Sequence, residues 1–134
     1  MSLQLAPGIL EQIVEHARSS WPLECCGLIA GAHGVGARAI PIVNALASSV
    51  AYEMDPGELI AAMRSLRQSG EELAAIYHSH PNGPAKPSRS DIERAYYPEA
   101  AYLIVSLADL KKPVTRAFRI VDGQAMEIEV HAIV

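Results

Sequence analysis

The spacing of apolar residues along the chain predicts two long helices. After Pro7, which suits the first turn of a helix, apolar residues recur three and four positions apart. These residues are Ile9, Leu10, Ile13, Val14 and Ala17. A second helix is predicted to follow, because Asp55, Pro56 and Glu58 imitate a capping box, and Gly70 can end it. Its expected apolar face consists of Leu59, Ile60, Met63 and Leu66.

Shorter apolar runs predict the strands of a sheet. They cover 25–30, 37–43, 73–78, 102–107, 114–121 and 124–130. Asp122-Gly123 joins the last two strands and is a strong signal for a tight hairpin. Pro41 should confine its strand to a sheet edge or a bulge, since proline donates no backbone hydrogen bond. A turn is expected over 33–36, and a short third helix over 90–96.

These elements predict one domain over residues 1–134, of the α/β (α+β) class, in which helices pack against a mixed sheet. Half of the residues are hydrophobic and 19% are charged, which argues against a disordered chain. The net charge of −4 gives no electrostatic basis for binding nucleic acid or an anionic membrane. The apolar runs are far shorter than the roughly 20 residues of a membrane helix. We therefore expect neither kind of partner.

Two features indicate the cytoplasm. No basic segment precedes an apolar stretch near the N-terminus, so a signal peptide is not expected. Cys25 and Cys26 are neighbours, and adjacent cysteines rarely pair because a disulfide requires a wider separation of the two Cα atoms. Free thiols are typical of a reducing compartment. Both cysteines are interpreted as packing residues rather than nucleophiles.

One constellation carries chemistry: His78 and His80 at the end of a predicted strand, and Asp91 at the start of the next helix. Residues two apart on a strand share a face, so both imidazoles can reach one ion. The intervening loop, rich in proline and glycine, can return Asp91 to them. Two histidines and one carboxylate with an open fourth position form a catalytic zinc site. Iron, cobalt or nickel could occupy the same ligands in vitro.

Simpler interpretations remain open for each residue. The two histidines could be ordinary core or surface residues of a strand end. Ser88 and Asp91 have the spacing of a helix cap, a role that is compatible with metal binding. Glu24 could be an exposed acid at the head of a strand. His16, His33 and His131 lie outside the constellation and are interpreted as surface or structural residues.

Two stretches of this chain resemble the signature of the JAMM/MPN family of metal-dependent isopeptidases. One is His-Ser-His-Pro over 78–81 followed by Pro87-Ser88 and Asp91, and the other is Pro-Leu-Glu-Cys-Cys-Gly over 22–27. The resemblance covers nearly the whole chain and is greatest to the compact bacterial, single-domain branch. It implies a cytidine-deaminase-like fold. It also implies a zinc peptidase that acts on small ubiquitin-like sulfur-carrier proteins, at or after the glycine of their Gly-Gly tail.

The same resemblance implies a role for each matching residue. His78, His80 and Asp91 would bind Zn²⁺, Glu24 would be the general base, and Ser88 would donate a hydrogen bond to the oxyanion. Lys86 and Arg89 flank the metal loop, as a solvated rim or as contacts for a substrate carboxylate. Two alternatives remain: a non-catalytic MPN scaffold, or a DNA-repair-associated relative of the same fold. The intact set of polar groups disfavours the first, and the acidic charge balance disfavours the second.

Overall fold

The computed structural model describes residues 2–134, and within this range the chain forms seven strands and three helices. In chain order they are β1 (Ser2–Leu5), α1 (Ile9–Ser20), β2 (Cys26–Ala32), β3 (Val35–Ile42), α2 (Pro56–Ser69), β4 (Glu72–His80), α3 (Arg89–Glu93), β5 (Ala101–Ser106), β6 (Val114–Val121) and β7 (Gln124–Ala132). The predicted mixed α+β class is therefore confirmed.

The strands form one mixed sheet that closes on itself in the order β1-β3-β2-β4-β5-β6-β7. β1 closes it by pairing in parallel with both β3 and β7. β4 lies at the centre, antiparallel to β2 and parallel to β5. Because β2 and β4 run in opposite directions, the start of β2 lies beside the end of β4.

Two hydrophobic clusters lie on opposite faces of the sheet. Alternation along β4 divides its residues between them, with Tyr77 in one cluster and Ile76 in the other. The first cluster includes the buried face of α1, where Ile13 and Ala17 have no exposed surface. The second includes Leu28, Ile104 and the inner side of α2. From Ile76 to the end of β4 the alternation is regular, so His78 and His80 lie on the same α2 side of the sheet as Ile76.

Both long helices form where the apolar spacing predicts them. Asp55 caps α2 by accepting a hydrogen bond from the backbone N–H of Glu58 at 3.0 Å, and Gly70 ends the helix. Two details of the prediction were wrong. The Glu58 carboxylate accepts from the backbone N–H of Val43 at 3.0 Å, so the capping box is not reciprocal. Ile60 is 60% exposed, and Ala62 is buried in its stead.

Most strand predictions are confirmed, with ends displaced by up to two residues, and one strand was missed. β1 was missed because only Leu3 and Leu5 alternate in it, too short a pattern to distinguish from a loop. As predicted, Pro41 lies at a sheet edge. It is on the part of β3 that pairs with β2 on one side and with no residue of β1 on the other. Asp122 and Gly123 both have positive φ, 52° and 75°, as a tight hairpin requires.

The third helix is shorter than the predicted 90–96. It ends at Glu93 because the chain turns there, with the backbone N–H of Tyr96 donating to the carbonyl of Arg94 at 3.0 Å. Across residues 2–134, none of the helices combines the length and the apolar character needed to cross a membrane.

Candidate metal centre and active site

The site lies where β2 begins and β4 ends. Cys26 pairs with His78, so the same antiparallel register continued by two residues sets Glu24 opposite His80. Two hydrogen bonds hold this extension together. Ser79 Oγ accepts from the backbone N–H of Cys25 at 2.8 Å, and the carbonyl of Cys25 accepts from the backbone N–H of Ser79 at 3.1 Å. The sheet itself therefore brings Glu24 to the two histidines.

His78, His80 and Asp91 converge on one point. His78 Nε2 lies 3.1 Å from His80 Nε2, and Asp91 Oδ2 lies 3.1 and 3.0 Å from these two nitrogens. Ligand atoms around one tetrahedral zinc ion are separated by about 3.3 Å, given bonds of about 2.0–2.1 Å. The three atoms thus have the separation that one zinc ion needs, and imidazole with carboxylate is a donor set that suits it.

The tautomer of His80 also suits a metal. Its Nδ1 donates to the carbonyl of Pro84 at 2.8 Å, so in the neutral ring the proton lies on Nδ1 and Nε2, which faces the cluster, is the nitrogen that can bind a metal. His78 is 1% exposed, and Tyr52 stacks on its ring with centroids 4.6 Å apart. Stacking and burial hold this ring in one orientation. A backbone carbonyl and a distant tyrosine leave no pattern in the sequence, so neither support was predicted.

The acid–base properties of the cluster follow from its burial. Burial raises the pKa of Asp91, but hydrogen bonds from His78 and His80 outweigh it and hold the pKa well below its usual range. Burial lowers the pKa of His78. For His80, burial lowers the pKa, and the hydrogen bonds to Asp91 and Pro84 reverse the effect and raise it. An ionised carboxylate thus faces the rings of both histidines.

Glu24 is a buried acid, which contradicts its interpretation as an exposed residue at a strand head. It is 5% exposed, and its Oε1 has no hydrogen-bond partner among the described residues. Burial, opposed by His80 and reinforced by Asp91, raises its pKa to about 7. The loop before α2 holds its backbone, because the carbonyl of Ser48 accepts from its N–H at 2.8 Å. A carboxyl group with this pKa can both accept and return a proton near neutral pH.

Ser88 and Asp91 form the capping box that their spacing predicts. Ser88 Oγ accepts from the backbone N–H of Asp91 at 3.1 Å, and Asp91 Oδ2 accepts from the backbone N–H of Ser88 at 2.9 Å. Asp91 Oδ2, the oxygen that contacts both histidines, is therefore the atom that the helix cap holds in place. Ser88 Oγ is an acceptor in the cap and also lies 3.3 Å from Ser90 Oγ, so its hydroxyl proton can be donated to Ser90 or to another acceptor in the site.

Two cavities flank the cluster and have no lining residue in common. We call the first the Glu24 cavity; it measures about 460 Å³ and is lined by Glu24, His80, Lys86 and Ser88, among others. The second, the Tyr52 cavity, measures about 480 Å³, and its lining includes Tyr52, Asp91 and Tyr97. His80 thus lines the cavity that contains the candidate acid, and Asp91 lines the cavity that contains the tyrosines.

The other candidate residues contribute no side chain to the cluster. Cys25 and Cys26 are buried free thiols, one in each hydrophobic cluster, and burial raises their pKa to about 11 and about 12. His16 bonds the hydroxyl of Tyr77 at 2.7 Å. His33 lies in the β2–β3 turn, and His131 bonds Glu129 at 2.6 Å on β7.

Comparison with known proteins identifies the family. The family described as prokaryotic homologs of the JAB domain matches residues 7–121. The chain belongs to this prokaryotic JAB family. The family assignment confirms the JAMM/MPN resemblance that the His78–Asp91 and Glu24 stretches indicated.

Similar relatives of this JAB protein carry the names of hydrolases. It is 37% identical over 133 residues to the CysO-cysteine peptidase of Mycobacterium tuberculosis, covering 98% of this chain and 91% of the relative. It is 39% identical over 112 residues to the desampylase of Haloferax volcanii, covering 78% of this chain and 80% of the relative.

Solved structures agree with the assignment. A solution structure of a Desulfitobacterium hafniense protein superposes with a TM-score of 0.85 at 33% identity, covering 99% of this chain and 93% of that one. A JAB1/MPN domain protein from Archaeoglobus fulgidus superposes with a TM-score of 0.62 at 22% identity, covering 96% and 98%. The second comparison establishes a shared fold, which is the fold the resemblance implied.

Proposed function

We propose that this protein is a zinc-dependent peptidase that hydrolyses an amide bond at or after the C-terminal glycine of a small ubiquitin-like sulfur-carrier protein. The observation that carries the proposal is the convergence of His78 Nε2, His80 Nε2 and Asp91 Oδ2 within 3.1 Å of one another. Glu24 lines the same cavity as His80, so an acid–base group accompanies the candidate metal ligands.

We assign the metal to His78, His80 and Asp91. A zinc ion held by these ligands supplies a Lewis acid that polarises the scissile carbonyl and lowers the pKa of water to about 7. The chain's own contribution is to present three ligand atoms already at the required separation. It also keeps Asp91 ionised, and it fixes the ring of His80 through Pro84.

We assign proton transfer to Glu24. Its carboxylate takes a proton from the attacking water while the water oxygen bonds to the carbonyl carbon. The carbon–nitrogen bond then breaks, and Glu24 returns the proton to the leaving nitrogen. In the metal-free protein, burial raises the pKa of this carboxyl, which makes it a better proton acceptor than an exposed glutamate.

We assign oxyanion stabilisation to Ser88. Its Oγ is oriented by the helix cap at Asp91, and Ser88 lines the Glu24 cavity beside His80. A preorganised hydroxyl donor directed at the developing negative charge lowers the barrier by about 3 kcal/mol in comparable sites.

The substrate assignment rests on the relatives. One is named a CysO-cysteine peptidase, another a desampylase, and a third, from Thermus thermophilus, a probable TtuB-protein conjugate cleaving protease. A protein carrier with a flexible Gly-Gly tail suits a cleft beside a sheet, which an extended peptide can enter. We propose the cytoplasm as its compartment because both cysteines are free thiols.

The test is cleavage of a ubiquitin-like carrier protein that bears one extra residue after its Gly-Gly tail. We expect the zinc-loaded wild type to release that residue. Glu24→Gln should keep its zinc and lose turnover, whereas Glu15→Gln, an exposed acid on α1, should behave as wild type. Full activity of Glu24→Gln would show that the base is assigned wrongly. Absence of cleavage by the zinc-loaded wild type would refute the substrate class.

A further inference from the structure

We propose that Lys86 binds the free carboxylate of a single amino acid as the leaving group, so that the enzyme preferentially frees one residue from its carrier rather than separating two proteins. This inference rests on the proposed function and deepens it. It concerns the side of the site that Glu24 and Lys86 line together, in the Glu24 cavity.

The chemistry of hydrolysis assigns the two cavities to the two halves of the substrate. Glu24 must return a proton to the leaving nitrogen, so the leaving group has to occupy the cavity that Glu24 lines. The acyl half, which is the carrier's tail, then extends toward the Tyr52 cavity on the side of Asp91. Lys86 therefore lies on the leaving-group side.

The backbone of Lys86 is tied to the metal centre. The carbonyl of Pro84 accepts from the backbone N–H of Lys86 at 2.8 Å and also from His80 Nδ1 at 2.8 Å. Ala85 between them is 5% exposed and anchors the loop, while Pro84 and Pro87 restrict its backbone. The backbone of Lys86 is thus linked to the ring of His80 through one shared carbonyl.

The charge of Lys86 is available to a substrate. Among residues 2–134 it is the one lysine or arginine that lines the Glu24 cavity, and it forms no ion pair there. Arg89, the other basic residue of this loop, is 94% exposed, pairs with Glu93 at 3.3 Å and lines neither cavity. Of the two loop cations, only Lys86 therefore lines the Glu24 cavity and has no ion pair among residues 2–134.

A free amino acid and a protein lysine differ at the position that this ammonium can reach. When an amino acid is joined through its α-nitrogen to the carrier's glycine, its carboxylate is one carbon away from the scissile nitrogen. When a protein is joined through a lysine side chain, only methylene groups follow that nitrogen. A charge-assisted hydrogen bond from Lys86 would favour the first substrate by about 10- to 100-fold in kcat/KM.

The experiment compares two substrates that differ in one group. Each is a carrier protein with a Gly-Gly tail and one further amino acid, which ends in a free carboxylate in one substrate and a carboxamide in the other. A third substrate, a carrier joined to a peptide lysine side chain, is included for comparison. Release of the last residue is followed by mass spectrometry with wild type, Lys86→Met, Lys86→Arg and Arg89→Met. Zinc content and thermal midpoint of each variant are measured, so that loss of folding is recognised.

We expect the wild type to prefer the carboxylate by about 10- to 100-fold. Lys86→Met should lose this preference by slowing the carboxylate substrate alone, whereas Lys86→Arg and Arg89→Met should retain it. An equal effect of Lys86→Met on both substrates, or none, would overturn the inference and leave the proposed function intact. So would equal wild-type rates on the carboxylate substrate and on a carrier joined to a peptide lysine side chain. Failure of the wild type to cleave any of the three would refute the proposed function itself.

Discussion

Replacing Glu24 by glutamine should change how the stability of the metal-free protein depends on pH. Burial raises the pKa of this carboxyl from 4.5 to about 7, and its Oε1 has no partner among the described residues. The folded protein thus binds the proton of Glu24 more tightly than the unfolded chain does. The stability that this proton contributes is complete below pH 4.5 and is lost as the pH rises through about 7.

The size of the effect follows from the two pKa values. Their difference, from 4.5 to about 7, corresponds to about 3 kcal/mol at 1.36 kcal/mol per pKa unit. About 2.5 kcal/mol of this loss falls between pH 5 and pH 8. Water that enters the Glu24 cavity stabilises the ionised carboxylate and reduces this loss. We therefore expect the free energy of unfolding to fall by about 1–3 kcal/mol over this pH range. Glutamine does not ionise, and the variant should lack this part of the pH dependence.

The assay is urea unfolding at pH 5, 6, 7 and 8 in the presence of a chelator. The free energy of unfolding of the wild type should fall relative to that of Glu24→Gln as the pH rises, because other titrating groups are common to both proteins. Glu15→Gln, on the exposed side of α1, should follow the wild type. Parallel curves for wild type and Glu24→Gln would refute the reasoning that burial makes ionised Glu24 costly.

Two further predictions concern the metal site and the sheet beneath it. His78→Ala should reduce bound zinc from about one ion per chain to almost none by metal analysis, because His78, His80 and Asp91 are the one group among residues 2–134 that could hold a metal ion. His33→Ala, in the β2–β3 turn, should keep the ion. Gly27→Ala should lower the free energy of unfolding by about 1–3 kcal/mol, because its Cβ would lie 2.5 Å from Cζ of the fully buried Tyr77. Gly57→Ala, whose Cβ would meet nothing closer than 3.5 Å in α2, is the matched control and should not destabilise.

The sequence predicted most of the fold because its signals are local. Helical spacing and the Asp55 cap located α2, and the Asp122-Gly123 pair located the last hairpin. The closure of the sheet was not predictable in this way. It depends on β1, whose four residues pair with β7 more than 120 positions away, as Ser2 does with Glu129. Pairing between strands so far apart in the sequence does not change the local spacing of apolar residues, so it cannot be predicted from that spacing.

The candidate site was predictable to the extent that it obeys strand and helix geometry. His78 and His80 share a face because they are two residues apart on β4, where side chains alternate between the two faces. Asp91 is oriented by a capping box, which its spacing from Ser88 predicts. Its supports were not predictable. The carbonyl of Pro84 acts through the backbone, and Tyr52 reaches His78 from a loop that no pattern connects to the metal strand.

The most direct test of the account is cleavage of the carrier protein bearing an extra C-terminal residue, with metal content measured on the same samples. We predict about one zinc ion per chain, loss of both zinc and cleavage after treatment with a chelator, and recovery of both when zinc is restored. Cleavage that persists in protein stripped of zinc would contradict a metal-dependent mechanism at His78, His80 and Asp91. Failure to bind zinc at all would contradict the metal centre and leave a scaffold as the better description.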